Sequence, residues 1–257
     1  MLTLELSHGT PPSHFDVALA VSTLDEVTVG DSLINELKQA APSLRGMDKE
    51  SLGHKLTSVI MSKNPRNGLL LLQKTEAFKH VFFELHRCEA VEQNKKYHIH
   101  NVFQHCVEVC SLLEEDIVLR WAGLLHDLGK FNTFRNDGNG NITFHKHEVF
   151  STKIAESVLS RFCVPEPYRS KIVFLVSMHM YHYSSEWTDK TLNRFINKVG
   201  ITSESLSDIT YIDLFKLRHA DRKSRGLEPI TSKQKDFEDR IRKFVLSKED
   251  RQKVVSF

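Results

Sequence analysis

The chain has 257 residues, of which 40% are hydrophobic and 26% charged, and its formal net charge is +2. This length allows one large domain or two small ones with a sizeable buried core, and the charge is compatible with a nucleotide or RNA partner without arguing for one. No apolar run, such as Leu69 to Leu72, is long enough to span a membrane. Because Met1 to His8 lacks the features of a secretory signal, we expect a cytoplasmic location.

Cysteine and histidine are distributed differently along the chain. The four cysteines form no Cys-x-x-Cys pair, so neither a zinc knuckle nor a disulfide framework is expected. Of the 14 histidines, nine lie between His98 and His219. This concentration suggests metal chemistry in the middle of the chain.

The first third of the sequence predicts a small helical layer rather than a separate catalytic unit. We expect a poorly ordered start, with Asp31 as the N-cap of a later helix and Pro65 interrupting the helical pattern. The predicted helices cover Phe15 to Leu24, Ser32 to Ala41, Asp48 to Ser62, Gly68 to Leu72 and Glu76 to Leu85.

The remainder is also predicted to be helical, with one small hairpin. Phe131 to Phe134 and Ile142 to Phe144 flank a cluster of turn residues and are interpreted as its strands, and Gly129 is interpreted as a helix C-cap. The predicted helices cover Asn101 to Leu113, Asp116 to Leu128, Lys146 to Phe162, Pro165 to Met180, Asp189 to Val199, Leu206 to Ser224 and Ser232 to Leu246.

Several of these helices carry a possible metal ligand on the face that should be buried. Trp121 to Lys130 contains the adjacent pair His126 and Asp127 in an apolar setting, and burying such groups costs several kcal/mol unless they are paired or bind a metal. Taken singly, each ligand has a structural alternative, such as a hydrogen-bonded core histidine or an aspartate paired with a nearby arginine. One metal centre would account for them jointly; the set is His105, His126, Asp127, His147, His179 and Asp221.

The order of these residues resembles the pattern of the HD-domain metal-dependent phosphohydrolases: a first His, a His-Asp pair, further His residues and a late Asp. The sequence is similar in particular to the neck and HD portion of bacterial CCA-adding tRNA nucleotidyltransferases. The similar segments are Ala41 to Ile60, Asn67 to Gln73, Val91 to Asn94, Asn101 to His105, Leu124 to Lys130, Phe144 to Glu148 and Leu217 to Arg222.

The resemblance implies an all-α fold: an HD-domain helical bundle with a small β-hairpin, preceded by a neck-like helical layer. It divides the chain into a neck-like region over residues 1–90, an HD domain over residues 91–226 and a C-terminal amphipathic helix and tail over residues 227–257. The Asp-x-Asp pair of a nucleotidyltransferase head is not found in this sequence. We therefore expect no addition of CCA.

The resemblance also implies two divalent metal ions. His105, His126, Asp127 and Asp221 would hold one ion, while Asp127 would bridge to a second ion held by His147 and His179. Mixed His and carboxylate ligation favours Mn, Co, Ni or Fe, although Mg is also compatible with it. Two ions about 3.5–4 Å apart would activate water for attack on a phosphoester.

Three basic residues are candidates for substrate binding. Lys130 is placed to reach a phosphate oxygen, but it could equally be a solvated charge near a helix C-terminus. Arg218 and Arg222 flank the last ligand and could bind further phosphates, or they could simply be solvated charges.

The implied activity is phosphoester hydrolysis on a nucleotide or an RNA terminus, of the 2′,3′-cyclic phosphodiesterase or 2′-phosphatase type, with Asp127 and Lys130 as the catalytic residues. A deoxynucleotide phosphohydrolase is one alternative. A non-catalytic HD module that binds tRNA or a protein is another. The sequence does not indicate an oligomeric state.

Overall fold

Most of the secondary structure is α-helical, so the predicted all-α class is confirmed. The computed structural model describes residues 2–4, 13–94, 99–139, 141–166, 168–207, 212–227 and 232–255. Its helices are α1 (His14–Val21), α2 (Asp31–Ala40), α3 (Lys49–Ile60), α4 (Pro65–Lys74), α5 (Ala77–Val81), α6 (Phe83–Arg87), α7 (Val102–Leu112), α8 (Ile117–Leu125), α9 (Lys130–Thr133), α10 (His147–Arg161), α11 (Tyr168–Met178), α12 (Asp189–Val199), α13 (Asp213–Ser224) and α14 (Ser232–Val255).

Two small sheets accompany the helices. Strand β1 (Leu2–Leu4) pairs in parallel with β2 (Val27–Val29), and β3 (Arg135–Asn136) pairs antiparallel with β4 (Ile142–Thr143). The second pair is the predicted hairpin. Its first strand was expected at Phe131 to Phe134, but that segment mostly forms α9, because a short apolar run does not by itself distinguish a strand from a helical turn.

The first third differs from the prediction in several local details. Pairing of β1 with β2 contradicts a wholly irregular start, although residues 5–12 lie outside the described residues. Asp31 is the first residue of α2 rather than its N-cap, a position that Gly30 occupies. Pro65 begins α4 instead of interrupting a helix, because the first helical position does not require a backbone N–H donor.

Other helix boundaries also shift. The expected helix from Glu76 to Leu85 is divided into α5 and α6, because Phe82 leaves the helical region with φ −137° and ψ 64°. Helix α13 begins at Asp213 rather than Leu206; part of the predicted extension, residues 208–211, lies outside the described residues. Helix α14 continues to Val255, beyond the predicted end at Leu246.

The core runs through both the first third and the following bundle. Helices α1, α3 and α4 pack on one another, and α7, α8, α10, α11 and α13 form the bundle behind them. One hydrophobic cluster extends from Phe15 to Val245, with Trp121 fully buried within it. None of the helices in the described part of the chain is both long enough and apolar enough to cross a membrane.

Arg120 joins the first layer to the bundle from a buried position in α8. Its Nη1 donates hydrogen bonds to the carbonyl oxygens of Ile60, at 2.8 Å, and Ser62, at 2.6 Å. Its Nε donates to the carbonyl oxygen of Leu113 at 3.2 Å. These carbonyl groups lie at the ends of α3 and α7, where no intrahelical donor is available, so one guanidinium satisfies acceptors from two helices.

Replacing Arg120 with Met should therefore destabilise the protein even though an unbranched apolar stem is retained. We expect a loss of about 3 kcal/mol in the free energy of unfolding, because several carbonyl groups lose their donor. Urea unfolding followed by circular dichroism measures this loss. Arg66→Met is the control, since the pair Arg66–Glu108 is partly exposed and should contribute less than about 1 kcal/mol. Equal losses of stability in the two variants would contradict this role of Arg120.

Candidate metal centre

Five helices and the turn after α8 bring the six expected ligands to one place. His105 lies within α7, His126 is the C-cap of α8, and Asp127 follows in the next turn. His147 is the first residue of α10, His179 follows the end of α11, and Asp221 lies in α13. All six are buried, with no more than 8% of any residue exposed.

The six side chains form two groups that could each hold a metal ion. One group is His105, His126 and Asp221, and the other is Asp127, His147 and His179; within each group the ligand atoms lie within 4.8 Å of one another. Asp127 also connects the groups. Its Oδ2 lies 3.2 Å from His105 Nε2 and 3.3 Å from His126 Nε2, while its Oδ1 lies 3.0 Å from His147 Nε2.

Backbone acceptors determine which nitrogen of three imidazoles faces the centre. The Nδ1 atoms of His126, His147 and His179 lie 2.8, 2.9 and 2.6 Å from carbonyl oxygens. A carbonyl oxygen can only accept, so each Nδ1 carries the proton and Nε2 faces inward with its lone pair in the neutral ring. This is the form in which histidine binds a metal.

Ser224 orients the ring of His105 in the same way, with a hydroxyl group in place of a backbone carbonyl. Its Oγ donates to the carbonyl oxygen of Asp221 at 2.7 Å and therefore accepts from Nδ1 of His105 at 3.0 Å. Neighbouring Nε2 atoms then face each other, at 3.3 Å between His105 and His126 and at 3.1 Å between His147 and His179. Opposed lone pairs at these distances repel unless protons or cations lie between them, so the donor set fits divalent metal ions.

Burial and the close neighbouring groups also shift the pKa values of the ligands. Burial alone would raise the pKa of Asp127, but the adjacent His126 ring and the charge of Lys130 hold that pKa well below its usual range. Burial alone would lower the pKa of His105, but hydrogen bonds to Asp127 and Asp221 raise it. Burial dominates for His179 and lowers its pKa. The centre thus holds ionised carboxylates beside imidazoles, as a cation site requires.

Lys130 is buried rather than solvated. Only 6% of the residue is exposed, and its Nζ lies 2.7 Å from Asp127 Oδ2 and 2.7 Å from Gln93 Oε1. The alternative of a solvated charge at a helix end is therefore wrong. Lys130 also faces the cavity over the metal centre, so its position is compatible with a role toward a substrate phosphate.

A cavity of about 370 Å³ opens over the two groups. The hairpin supplies one wall through Ile142, Thr143 and Phe144, and Arg218 and Arg225 lie on another side. Both arginines pair with Asp221 Oδ2, at 3.3 Å and 3.0 Å. Arg222, which was expected to bind substrate beside Arg218, lines a neighbouring cavity instead.

Gly129 allows α10 to approach the turn that carries His126 and Asp127. A Cβ atom there would lie 2.2 Å from the carbonyl oxygen of His147 and 2.5 Å from the backbone nitrogen of Ser151. Gly129 has φ −66° and is thus not a left-handed C-cap, contrary to the prediction. The glycine is required by close backbone packing, which brings His147 to Asp127.

Gly129→Ala should consequently destabilise the fold around the centre. We expect a loss of about 2 kcal/mol or more and a fall in melting temperature of about 5 °C, because the atoms in the way belong to backbone. Differential scanning calorimetry measures both. Gly46→Ala is the matched control, since a Cβ there meets nothing within 4 Å. A melting temperature that falls equally in the two variants would exclude this role of Gly129.

Comparison with known proteins agrees with the geometry. The HD domain family matches residues 96–226, just over half of the chain, and this range contains all six ligands. The chain belongs to the HD domain family. This HD domain places it in the superfamily of metal-dependent phosphohydrolases.

Curated relatives match over the same part of the chain. The A-adding tRNA nucleotidyltransferase of Deinococcus radiodurans is 29% identical over 155 residues, which are 58% of this chain and 35% of that protein. The Multifunctional CCA protein of Legionella pneumophila (strain Paris) is 28% identical over 147 residues, 54% of this chain and 35% of that protein. The matched part of the chain thus spans about a third of the length of these relatives, and the resemblance to this group is confirmed. The division at residues 90 and 226 stays a prediction.

Two residues around the HD-domain site were not assigned a role from the sequence. Gln93 lies in the segment Val91 to Asn94, which was noted only as similar to the family, and its contact with Lys130 spans 37 residues. Ser224 lies one helical turn after Asp221, a spacing that could have indicated a shared contact.

Proposed function

We propose that the protein hydrolyses phosphoesters on nucleotides or RNA termini, of the 2′,3′-cyclic phosphodiesterase or 2′-phosphatase type, with two divalent metal ions. The observation that carries this proposal is the position of Asp127 between two buried ligand groups, with one oxygen facing each group. A carboxylate in that position can ligate both ions, and paired ions are a common arrangement for phosphoester hydrolysis.

The protein's own residues would contribute orientation and charge. His105, His126 and Asp221 would hold one ion, and His147 and His179 the other, each imidazole fixed by the acceptor at its Nδ1. The bound ions, among which Mn, Co, Ni, Fe and Mg are candidates, supply Lewis acids that activate water and neutralise phosphoryl charge.

Lys130 and Arg218 would bind the substrate over this centre. Lys130 Nζ is held by Asp127 and Gln93 and faces the cavity, so a small rotation would bring it to a non-bridging phosphate oxygen. Arg218 faces the same cavity and has a planar guanidinium that suits phosphate. Both cations would favour an anionic substrate before the reaction and the additional negative charge that develops during it.

The identity of the relatives supports a substrate that is an RNA end. They are an A-adding tRNA nucleotidyltransferase and a Multifunctional CCA protein, and the matched segments contain the HD domain.

Hydrolysis assays with purified protein test the proposal. We expect manganese-dependent ring opening of a 2′,3′-cyclic nucleotide and release of inorganic phosphate from a 2′-phosphorylated nucleotide, both lost on chelation. A deoxynucleoside triphosphate should remain intact. Release of triphosphate or phosphate from the deoxynucleotide alone would instead indicate a deoxynucleotide phosphohydrolase. A metal-loaded protein that hydrolyses none of these substrates would overturn the proposal and favour a binding module.

A further inference from the structure

A second cavity, of about 240 Å³, lies beside the one over the metal centre. Arg218 lines both cavities, so they adjoin at this residue. Arg222 of α13 and Lys233 at the start of α14 supply two more cations, and aromatic rings form much of the remaining wall. We refer to this space as the basic cavity.

Positive charge predominates in the lining of the basic cavity. Its lining in the described part of the chain includes three cationic side chains, Arg218, Arg222 and Lys233, and no carboxylate. Arg218 is partly neutralised by Asp221, whereas Lys233 is exposed at the mouth of the cavity. Like charges held together in a concave site attract anions from solution.

The aromatic residues of the cavity do not offer a platform for a nucleobase. Tyr183 and Phe237 stack on each other, with ring centroids 4.2 Å apart at 17°, and they are 5% and 1% exposed. Tyr181 packs against Phe237 and against Phe215 beneath them. Because these ring faces are covered by one another, the ligand contact available in the cavity is mainly to cations. Phosphate matches this chemistry.

The basic cavity adjoins the proposed reaction centre. Tyr181 is two residues beyond His179, and Arg218 lies 3.3 Å from Asp221 Oδ2, so one ligand from each metal group adjoins a residue of the basic cavity. A substrate held over the metal centre would direct its next charged group toward Arg222 and Lys233.

We propose that the basic cavity binds the phosphodiester next to the phosphoester that is hydrolysed, so that the protein prefers oligonucleotide ends over mononucleotides. The inference rests on the proposed function and adds a second phosphate site to it. Recognition through phosphate carries no base information, so the preference is independent of sequence. Arg222 and Lys233 would be its principal contacts.

Equilibrium binding tests the site without requiring turnover. The probes are a dinucleotide with a terminal 3′-phosphate and the corresponding 3′-mononucleotide, titrated calorimetrically in the presence of manganese. We expect the dinucleotide to bind at least about tenfold more tightly, with a steeper dependence on salt by about 0.7 in the logarithmic slope, because it adds one phosphate contact. Equal affinity of the two probes would overturn the proposal.

Variants of α14 locate the contact. Lys233→Ala should reduce the dinucleotide advantage at least about fivefold, and Lys233→Arg should restore it. Lys235→Ala is the matched control, since Lys235 is exposed on the same helix and does not line the cavity. The proposal fails if Lys233→Ala leaves the advantage intact or if Lys235→Ala lowers it equally.

Hydrolysis separates failure of this inference from failure of the proposed function. We expect the ratio of kcat/KM for a dinucleotide with a 2′,3′-cyclic end to that for a cyclic mononucleotide to exceed about ten, and to fall in Lys233→Ala. Hydrolysis of both substrates at equal kcat/KM would overturn the second phosphate site and leave the proposed function standing. Absence of hydrolysis with a retained dinucleotide binding advantage would overturn the function and support the site.

Discussion

Asp127→Ala should abolish phosphoester hydrolysis and prevent metal binding at both ligand groups. The side chain is buried, and its two oxygens face different groups, at 3.2 Å from His105 Nε2 and 3.0 Å from His147 Nε2. Its loss removes the shared negative charge from both sites. We expect the hydrolysis rate to fall by more than about a thousandfold, because several kcal/mol of charge stabilisation is lost.

The measurement pairs metal content, by inductively coupled plasma mass spectrometry, with the rate on 2′,3′-cyclic nucleotides. Asp127→Asn retains the shape but loses the charge, so it should fail in the same way. Asp239→Ala is the control, since Asp239 is exposed on α14. A folded Asp127→Ala protein with normal metal content would show that Asp127 serves only as the ion-pair partner of Lys130.

Replacement of either histidine of the second group should remove one metal ion and leave the other bound. His147 and His179 belong to the group of Asp127, whereas His105, His126 and Asp221 form the other group. His147→Ala or His179→Ala should therefore lower the metal content from two ions to one per chain. We expect hydrolysis to fall by about a hundredfold or more, because one of the two cations at the phosphoryl group is missing.

Two further histidine variants make this comparison specific. His54→Ala changes an exposed histidine and should retain both metals and the full rate. His126→Ala removes a ligand of the first group and should leave the second ion as the better retained one. If His147→Ala and His179→Ala keep full metal content and full activity, the two-metal proposal is wrong and both histidines are structural.

Much of the centre could be predicted because its ligands lie on helices or directly at their ends. His105 lies in the apolar face of α7 and Asp221 in that of α13, so helical spacing alone turned both inward. The hairpin was predicted from its cluster of turn residues, and its existence was confirmed. Local pattern identified the elements and their buried faces.

Features that depend on contacts between distant segments could not be predicted in the same way. Gly129 has the sequence position of a C-cap, and only the approach of α10 reveals its packing role. The pairing of β1 with β2 joins short segments that lie far apart in the chain and leave little periodicity. Lys130 is buried because Gln93, 37 residues earlier, packs beside it. Likewise, the basic cavity depends on the packing of α14 beside α13.

Anomalous diffraction from crystals grown with manganese tests the central claim most directly, because it locates each ion without requiring a substrate. The account predicts two peaks per chain. One should lie among His105, His126 and Asp221, the other between His147 and His179, and Asp127 should contact both. A single peak, or two peaks of which neither contacts Asp127, would contradict it.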